Sequence, residues 1–372
     1  MASLTRILVI GGYGNFGSYI CRRLAPHPQI RLIIGGRDAK KAADFAATLT
    51  DAAHKPATAV LDITKDMGAV LKSAAPDMVI HTSGPFQGQG YDVAKACIAA
   101  GCHYADLADA RDFVCGITAL DQDAKQSGVT VISGASSVPC LSAAVIDRYK
   151  NRFETIDSID YGIATAQQTN RGLATSSAIL SYVGRPFETR MNGKMQKTYG
   201  WQNLRSHIYP EIGKRLLADC DIPDLALFPQ RYPAVKTIRF GAGTESRLQH
   251  LGLWLLSFLP RSGLIKSLAP LAPLLYKISR LFDPFGSGKS AFHLRLTGTD
   301  HSGETKTLTF YIIAKSNHGP YIPSMPAIIL AQKLAAGDGL PQGAFPCLDV
   351  ITFEEYQAAL NGLDITFSVE ET

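Results

Sequence analysis

Seven residues, Gly11-Gly12-Tyr13-Gly14-Asn15-Phe16-Gly17, constrain the fold of this chain more than any other stretch. They follow the apolar run Ile7 to Ile10 and lead into a helical pattern from Gly17 to Leu24, after which a second apolar run arrives at Ile30 to Ile34. Gly12, Gly14 and Gly17 fit G-x-G-x-x-G, and between a strand and a helix that spacing marks a phosphate-binding turn. Gly12 permits the tight turn, Gly14 lets the main chain approach a diphosphate with no Cβ in the way, and Gly17 allows helix and strand to pack closely. The amides and positive end of the helix attract the anion. The expected contacts are therefore Gly12, Tyr13, Gly14, Asn15, Phe16 and Gly17.

The surrounding pattern agrees. Short β-branched runs (Ile7 to Ile10, Ile30 to Ile34, Ala57 to Leu61, Met78 to His81, His103 to Leu107, Val129 to Ile132) alternate with helical stretches up to about Ser137. Buried parallel strands need crossover helices on both faces, so residues 1–138 are expected to form an α/β domain with a doubly wound parallel sheet. Beyond Pro139 come longer alternating runs, Thr155 to Ala166, Glu188 to Thr198, Lys236 to Phe240, Phe292 to Thr299 and Lys306 to Ala314, with turn signals at Asn192-Gly193 and Asp300 to Gly303. These predict a second, α+β domain with a mixed sheet over residues 139–318. Helices at Pro326 to Leu334 and Phe353 to Leu360 suggest that residues 319–372 return to the first domain. A length of 372 residues suits two cores better than one.

Composition narrows the class of partner. With 46% apolar and 19% charged residues the chain can bury a core, and 37 basic against 32 acidic residues leave a net charge of +5 spread over many segments. Nucleic acid is not the expected partner. The seven cysteines (21, 97, 102, 115, 140, 220, 347) follow no metal-ligand spacing, so no metal site is expected. Nothing before Ile7 resembles a signal-peptide apolar region, and a reducing, cytoplasmic compartment is the expectation.

The end of the second strand selects the cofactor. An acidic residue there binds a ribose 2′-hydroxyl, whereas an arginine accommodates a 2′-phosphate. Here Gly35-Gly36-Arg37-Asp38 places Arg37 at the strand end, which favours NADP over NAD. Asp38 stands where the next helix needs an N-cap. Lys40 and Lys41 either add charge near that phosphate or form a solvated basic face. Asp62, after the third strand, either reaches the adenine or caps the following turn. Ser83, Gly84, Pro85 and Phe86 follow the fourth strand, at the edge where the nicotinamide half of a dinucleotide lies; Phe86 packs on that ring, on substrate or in the core.

These residues resemble the saccharopine dehydrogenase-like oxidoreductases. The glycine loop, Gly36-Arg37, His81 to Phe86, Ala94 to Leu107 and Gly134 to Pro139 fall in that family's order and spacing, and the tail Gly319-Pro320-Tyr321-Ile322-Pro323 is similar to its short members. The resemblance implies a Rossmann domain, a second mixed-sheet domain, often a homodimer, and hydride transfer with NADP(H) on the C=N or C=O bond of a small amino-acid-like substrate. Phe86 stands where saccharopine-forming relatives tend to carry tyrosine, and Pro139-Cys140 replaces a usual Pro-Gly. Both departures weigh against saccharopine itself.

A proton donor or acceptor must lie within hydrogen-bond reach of the reacting group. The candidates are Tyr104, Asp106 and Cys140, with Arg171, Thr175 and Tyr182 behind them; each also has a structural reading, as a strand-end tie or a small core hydrophobe. His207 and His318 read as surface residues.

Residues 251–282 hold a dense set of leucines together with Arg261, Lys266, Lys277 and Arg280 and no acid. Pro260 and Arg261 interrupt the apolar run well short of the ~20 residues that a membrane span requires. Buried helices or a dimer face is one reading; a lid in contact with a membrane surface or a lipid is the other. The second would suit reduction of a hydrophobic or lipid-linked enoyl acceptor, or a cofactor-bound membrane-surface protein without turnover.

Overall fold

The computed structural model describes residues 4–170 and 172–372. They divide into two compact units, residues 1–144 with 320–360 and residues 145–319 with 361–372.

The first unit is built on strands β1 (Thr5–Ile10), β2 (Ile30–Gly36), β3 (Ala57–Val60), β4 (Met78–His81), β5 (His103–Asp106) and β6 (Thr130–Ser133). A seventh strand, Gly343–Pro346, joins the far edge beside β6. Every pairing in this sheet is parallel, and the order from that edge runs seventh strand, β6, β5, β4, β1, β2, β3. Strand order reverses between β1 and β4, which opens a crevice at the carboxyl ends of those two strands. This is a Rossmann doubly wound sheet. Its strands are apolar on both faces because helices cover both: Leu8, Ile10, Val79 and Val131 lie in one core cluster with Leu71, Cys97 and Ile98 from flanking helices.

The late helix Tyr321–Ala336 belongs to this unit and packs on the opening helix Asn15–Leu24, with Tyr19 and Tyr321 edge to face at 4.6 Å. Pro326 sits inside this helix, where nine consecutive or near-consecutive residues from Ile322 to Ala331 are buried. Pro326 brings no N–H to the Ile322 carbonyl four residues before it, and the Tyr356 hydroxyl donates to that oxygen instead. The return does not extend to the end of the chain. Residues 361–372, expected with the first domain, join the second unit, because Ile365–Glu371 pairs antiparallel with a strand there.

In the second unit the strands are β7 (Thr155–Thr165), β8 (Pro186–Met191), β9 (Lys194–Tyr199), β10 (Arg205–Tyr209), β11 (Gly213–Asp219), β12 (Thr237–Thr244), β13 (Ser290–Thr299) and β14 (Thr305–Ala314); in full chain order β15 is Gly343–Pro346 and β16 is Ile365–Glu371. The sheet runs β10-β11-β12-β7-β13-β14-β16, with β12 and β7 parallel and the remaining neighbours antiparallel. It is a mixed sheet. β8 and β9 form a separate hairpin through Asn192-Gly193, both with φ in the left-handed region.

Helices Arg247–Leu256 and Ala272–Arg280 cover part of this unit. Their inner side chains, among them Leu253, Trp254, Ala272 and Leu275, pack with Trp201 and Val183. The expectation of buried helices holds for that face alone, since Leu255, Leu274 and Ile278 on the other face are exposed. Among the described residues no helix is long and apolar enough to cross a membrane.

Candidate functional site

The glycine loop begins where β1 ends. Gly11 has φ +78°, open to glycine at little cost, and the amides of Gly11 and Gly12 both donate to the Gly35 carbonyl, at 2.9 and 3.1 Å. The chain then reverses through a Gly14 amide bond to the Gly11 carbonyl at 2.7 Å and enters the helix Asn15–Leu24. A Cβ on Gly17 would stand 2.1 Å from the Gly11 carbonyl oxygen, which is how closely helix and loop pack.

Gly14 is the exposed N-cap of this helix. No side chain caps it, and its first turn carries no acidic residue. The helix thus carries no carboxylate of its own at its positive end, with Asn15 and Phe16 partly exposed beside it. That arrangement fits a diphosphate.

On the adenosine side Tyr13 lays its ring against Gly36; a Cβ at Gly36 would meet Tyr13 Cε1 at 2.4 Å. The Tyr13 hydroxyl accepts a hydrogen bond from the Asp38 amide at 3.0 Å. Asp38 is the N-cap of helix Ala39–Ala47, its Oδ1 accepting from the Lys41 amide at 3.0 Å, and this bond above all holds its carboxyl below the usual range. Asp62 closes the next turn, taking hydrogen bonds from the amide and hydroxyl of Thr64 at 3.1 and 2.9 Å. Those bonds, and more weakly the Arg37 guanidinium, lower its pKa. Both carboxylates are occupied locally, and Arg37 stands exposed just past β2. Lys40 is paired with Asp44 on the exposed face at 2.6 Å.

The loop Ser83-Gly84-Pro85-Phe86 leaves β4 at the same edge. Thr82 Oγ1 donates to the Ile10 carbonyl at 2.8 Å, tying it to the end of β1, and Gln89 Nε2 donates to the Ser83 and Pro85 carbonyls at 2.9 and 2.7 Å. Phe86 points into the protein, with ring centroids 5.1 Å from His81 and 5.2 Å from Phe113. Of the positions open to Phe86, the core is the one it occupies.

Beneath this loop lies a polar group of residues that the sequence reading saw only in part. β4 and β5 place His81 opposite Asp106. His81 Nδ1 is 3.1 Å from the Tyr104 hydroxyl, and Asp106, two residues further along β5, lies on the same face of the sheet as Tyr104. Asp106 Oδ1 accepts from the Ala108 amide, the Gly134 amide and Ser133 Oγ at 2.9, 2.9 and 3.0 Å. Burial pushes the Asp106 pKa up to about 6 against the pull of those donors, and burial lowers His81 to about 4. Register and period-2 alternation carry the signal for His81, because residues two apart on one strand share a face with their partner on the next.

Tyr104 is 1% exposed, Asp106 0% and Cys140 3%. Their surroundings suit the structural reading: Asp106 ties the end of β5 to that of β6, Tyr104 meets His81, and Cys140 sits against Cys347 in the core. Arg171 lies outside the described residues. Thr175 and Tyr182 belong to helix Gly172–Tyr182 of the second unit, where Cys220 Sγ approaches the Tyr182 hydroxyl at 3.3 Å. His207, expected on the surface, is half-buried and stacks on His293 with centroids 3.7 Å apart.

Comparison with known proteins agrees with this geometry. Residues 7–132 match the family model "Saccharopine dehydrogenase NADP binding domain". No curated protein sequence matches the chain. Among solved structures, saccharopine dehydrogenase (L-Glu forming) from Saccharomyces cerevisiae is similar in fold, with a TM-score of 0.68 at 13% identity over 98% of this chain and 100% of that one. Amine dehydrogenase from Mycobacterium smegmatis aligns with a TM-score of 0.52 at 12% identity over 93% of this chain and 95% of that one. Residues 7–132 thus match a saccharopine dehydrogenase NADP-binding domain, and the chain as a whole has the fold of a saccharopine dehydrogenase.

Proposed function

We propose that the chain transfers hydride between NADP(H) and the C=N or C=O bond of a small amino-acid-like substrate. The observation that carries this reading is the pairing of an uncapped helix N-terminus with an exposed Arg37 whose neighbouring carboxylates, Asp38 and Asp62, are engaged elsewhere. The helix amides orient the diphosphate and the guanidinium binds the additional phosphate, its planar fork matching two oxygens at once. When bound, the coenzyme supplies the hydride and the protein supplies orientation and electrostatics.

The loop 82–86 forms the floor on the nicotinamide side, and its rigidity rests on the buried His81, Tyr104 and Asp106 beneath it. In this reading those three are positioning residues. Fold likeness to a saccharopine dehydrogenase and to an amine dehydrogenase supports amino-acid-like chemistry, and seven free thiols suit a reducing compartment such as the cytoplasm.

A hydrophobic or lipid-linked acceptor is the second reading, favoured by the bare apolar side of helices Arg247–Leu256 and Ala272–Arg280. Following NADPH oxidation with 2-oxo acids plus ammonia or an amino acid, and separately with fatty-acyl and enoyl thioesters, separates the two. Turnover with the first set alone supports the amino-acid reading; turnover with the second alone overturns it.

A further inference from the structure

The helices that cover the second unit are apolar on both sides, which packing within the chain does not require. In Arg247–Leu256 the exposed side carries Leu248, Leu251 and Leu255, at 68, 42 and 66% exposure; in Ala272–Arg280 and the residue following it carries Leu274, Ile278 and Leu281, at 57, 43 and 71%. Each set recurs at helical spacing, so each makes one continuous stripe. The two helices abut, since Gln249 Nε2 donates to the Ser279 carbonyl at 2.9 Å. Isolated exposed leucines are ordinary, but a contiguous stripe of this kind marks an interaction surface.

Charge indicates what the surface meets. From Arg247 to Phe282 the chain has five cations and no acidic residue; Arg280 pairs with Asp283 just beyond and Arg261 is held by Gln202, which leaves Arg247, Lys266 and Lys277, all exposed, beside the leucines. A second copy docking through this face about a two-fold axis would set the same basic stretch against itself, because such an interface is self-complementary. An anionic lipid surface answers both features, taking up the leucines among its acyl chains and the lysines and arginines at its headgroups. The helices are too short to span, which fits an in-plane position.

We propose that this face of the second unit binds the surface of an anionic lipid bilayer. The inference stands apart from the choice of substrate and from cofactor binding, both of which it leaves unchanged.

Flotation of the full chain with phosphatidylcholine vesicles and with vesicles also containing phosphatidylserine tests it. The chain is expected to float with the anionic vesicles and to be released by added salt. Replacing both Leu255→Asp and Leu274→Asp, or both Lys266→Glu and Lys277→Glu, should cut the bound fraction at least about tenfold with NADPH affinity and melting temperature retained; Leu255→Gln with Leu274→Gln replaces the first pair if the aspartates unfold the chain. No flotation with either vesicle, or equal flotation with both, overturns the proposal. So does a concentration-dependent dimer in sedimentation that the leucine variants dissociate without any vesicle binding, since a second copy would then be the occupant.

Discussion

The hydroxyl of Tyr13 accepts a hydrogen bond from the amide of Asp38 at 3.0 Å, linking the middle of the glycine loop to the residue that follows Arg37. The two halves of the phosphate site, the helix N-terminus and the strand-end arginine, are thereby fixed to each other through one side chain. Tyr13→Phe keeps the ring against Gly36 and removes only this bond. A net hydrogen bond is worth about 0.5–1.5 kcal/mol, so NADPH affinity should fall by roughly two- to tenfold with little change in melting temperature. Isothermal titration measures it; an unchanged dissociation constant would mean that the link does not order the site.

Arg37 reads the additional phosphate of the coenzyme. Arg37→Ala should weaken NADPH by about 1.5–3 kcal/mol, the scale of a hydrogen bond to a charged group, and leave NADH nearly unaffected. Arg37→Lys should recover only part of the loss, because an ammonium lacks the planar fork. Equal weakening of both coenzymes would point instead to general disruption of the loop.

Gly17 tests the closeness of helix and loop. Its Cβ would sit 2.1 Å from the Gly11 carbonyl oxygen, a backbone atom that cannot move aside cheaply. Gly17→Ala should cost about 1–3 kcal/mol of stability through overpacking and abolish measurable NADPH binding. Gly339→Ala, where a Cβ meets nothing within 4 Å, serves as the control and should be near neutral by thermal melt.

His81 and Asp106, paired across β4 and β5, have pKa values shifted by burial in opposite directions. Burial raises Asp106 to about 6, so its contribution to stability is full below the unfolded carboxyl value near 4 and is lost as pH rises through 6. Burial lowers His81 to about 4, so its contribution is present above the unfolded value near 6.5 and is lost as pH falls through 4. The two slopes oppose each other across about pH 4–6.5, each on the order of 3 kcal/mol. Relative to wild type, Asp106→Asn should make stability drop more steeply on acidification over that window, and His81→Gln less steeply. Urea unfolding at stepped pH checks it; identical slopes in all three proteins would remove the linkage.

Much of the first unit is legible in the sequence because each parallel strand is buried on both sides and so reads as a short apolar run between helices. Ile7 to Ile10, Met78 to His81 and the N-cap at Asp38 stand where expected for that reason. β10, β11 and Gly343–Pro346 are harder: in β10 the half-buried His207 stands between exposed neighbours, β11 opens on the polar Gly213-Lys214-Arg215 before its buried end, and the last strand is a four-residue edge whose pairing with β6 joins residues more than two hundred apart. The end of the chain misleads for a similar cause, since only pairing with β14 assigns Ile365–Glu371 to its unit. At the site, residue types reveal the glycine loop and Arg37. They do not reveal that Tyr104 and Asp106 face inward, because an Asp at a strand end looks the same whether its carboxyl meets a substrate or the amides of Ala108 and Gly134.

The central claim is that the uncapped helix at Gly14 and the guanidinium of Arg37 together hold NADP(H). Direct titration of the wild-type chain with NADPH and with NADH, followed by coenzyme fluorescence, tests it most simply. The account predicts saturable binding of both with NADPH tighter by at least about tenfold, the equivalent of about 1.4 kcal/mol. Equal affinity, tighter NADH binding, or no binding of either coenzyme would contradict it.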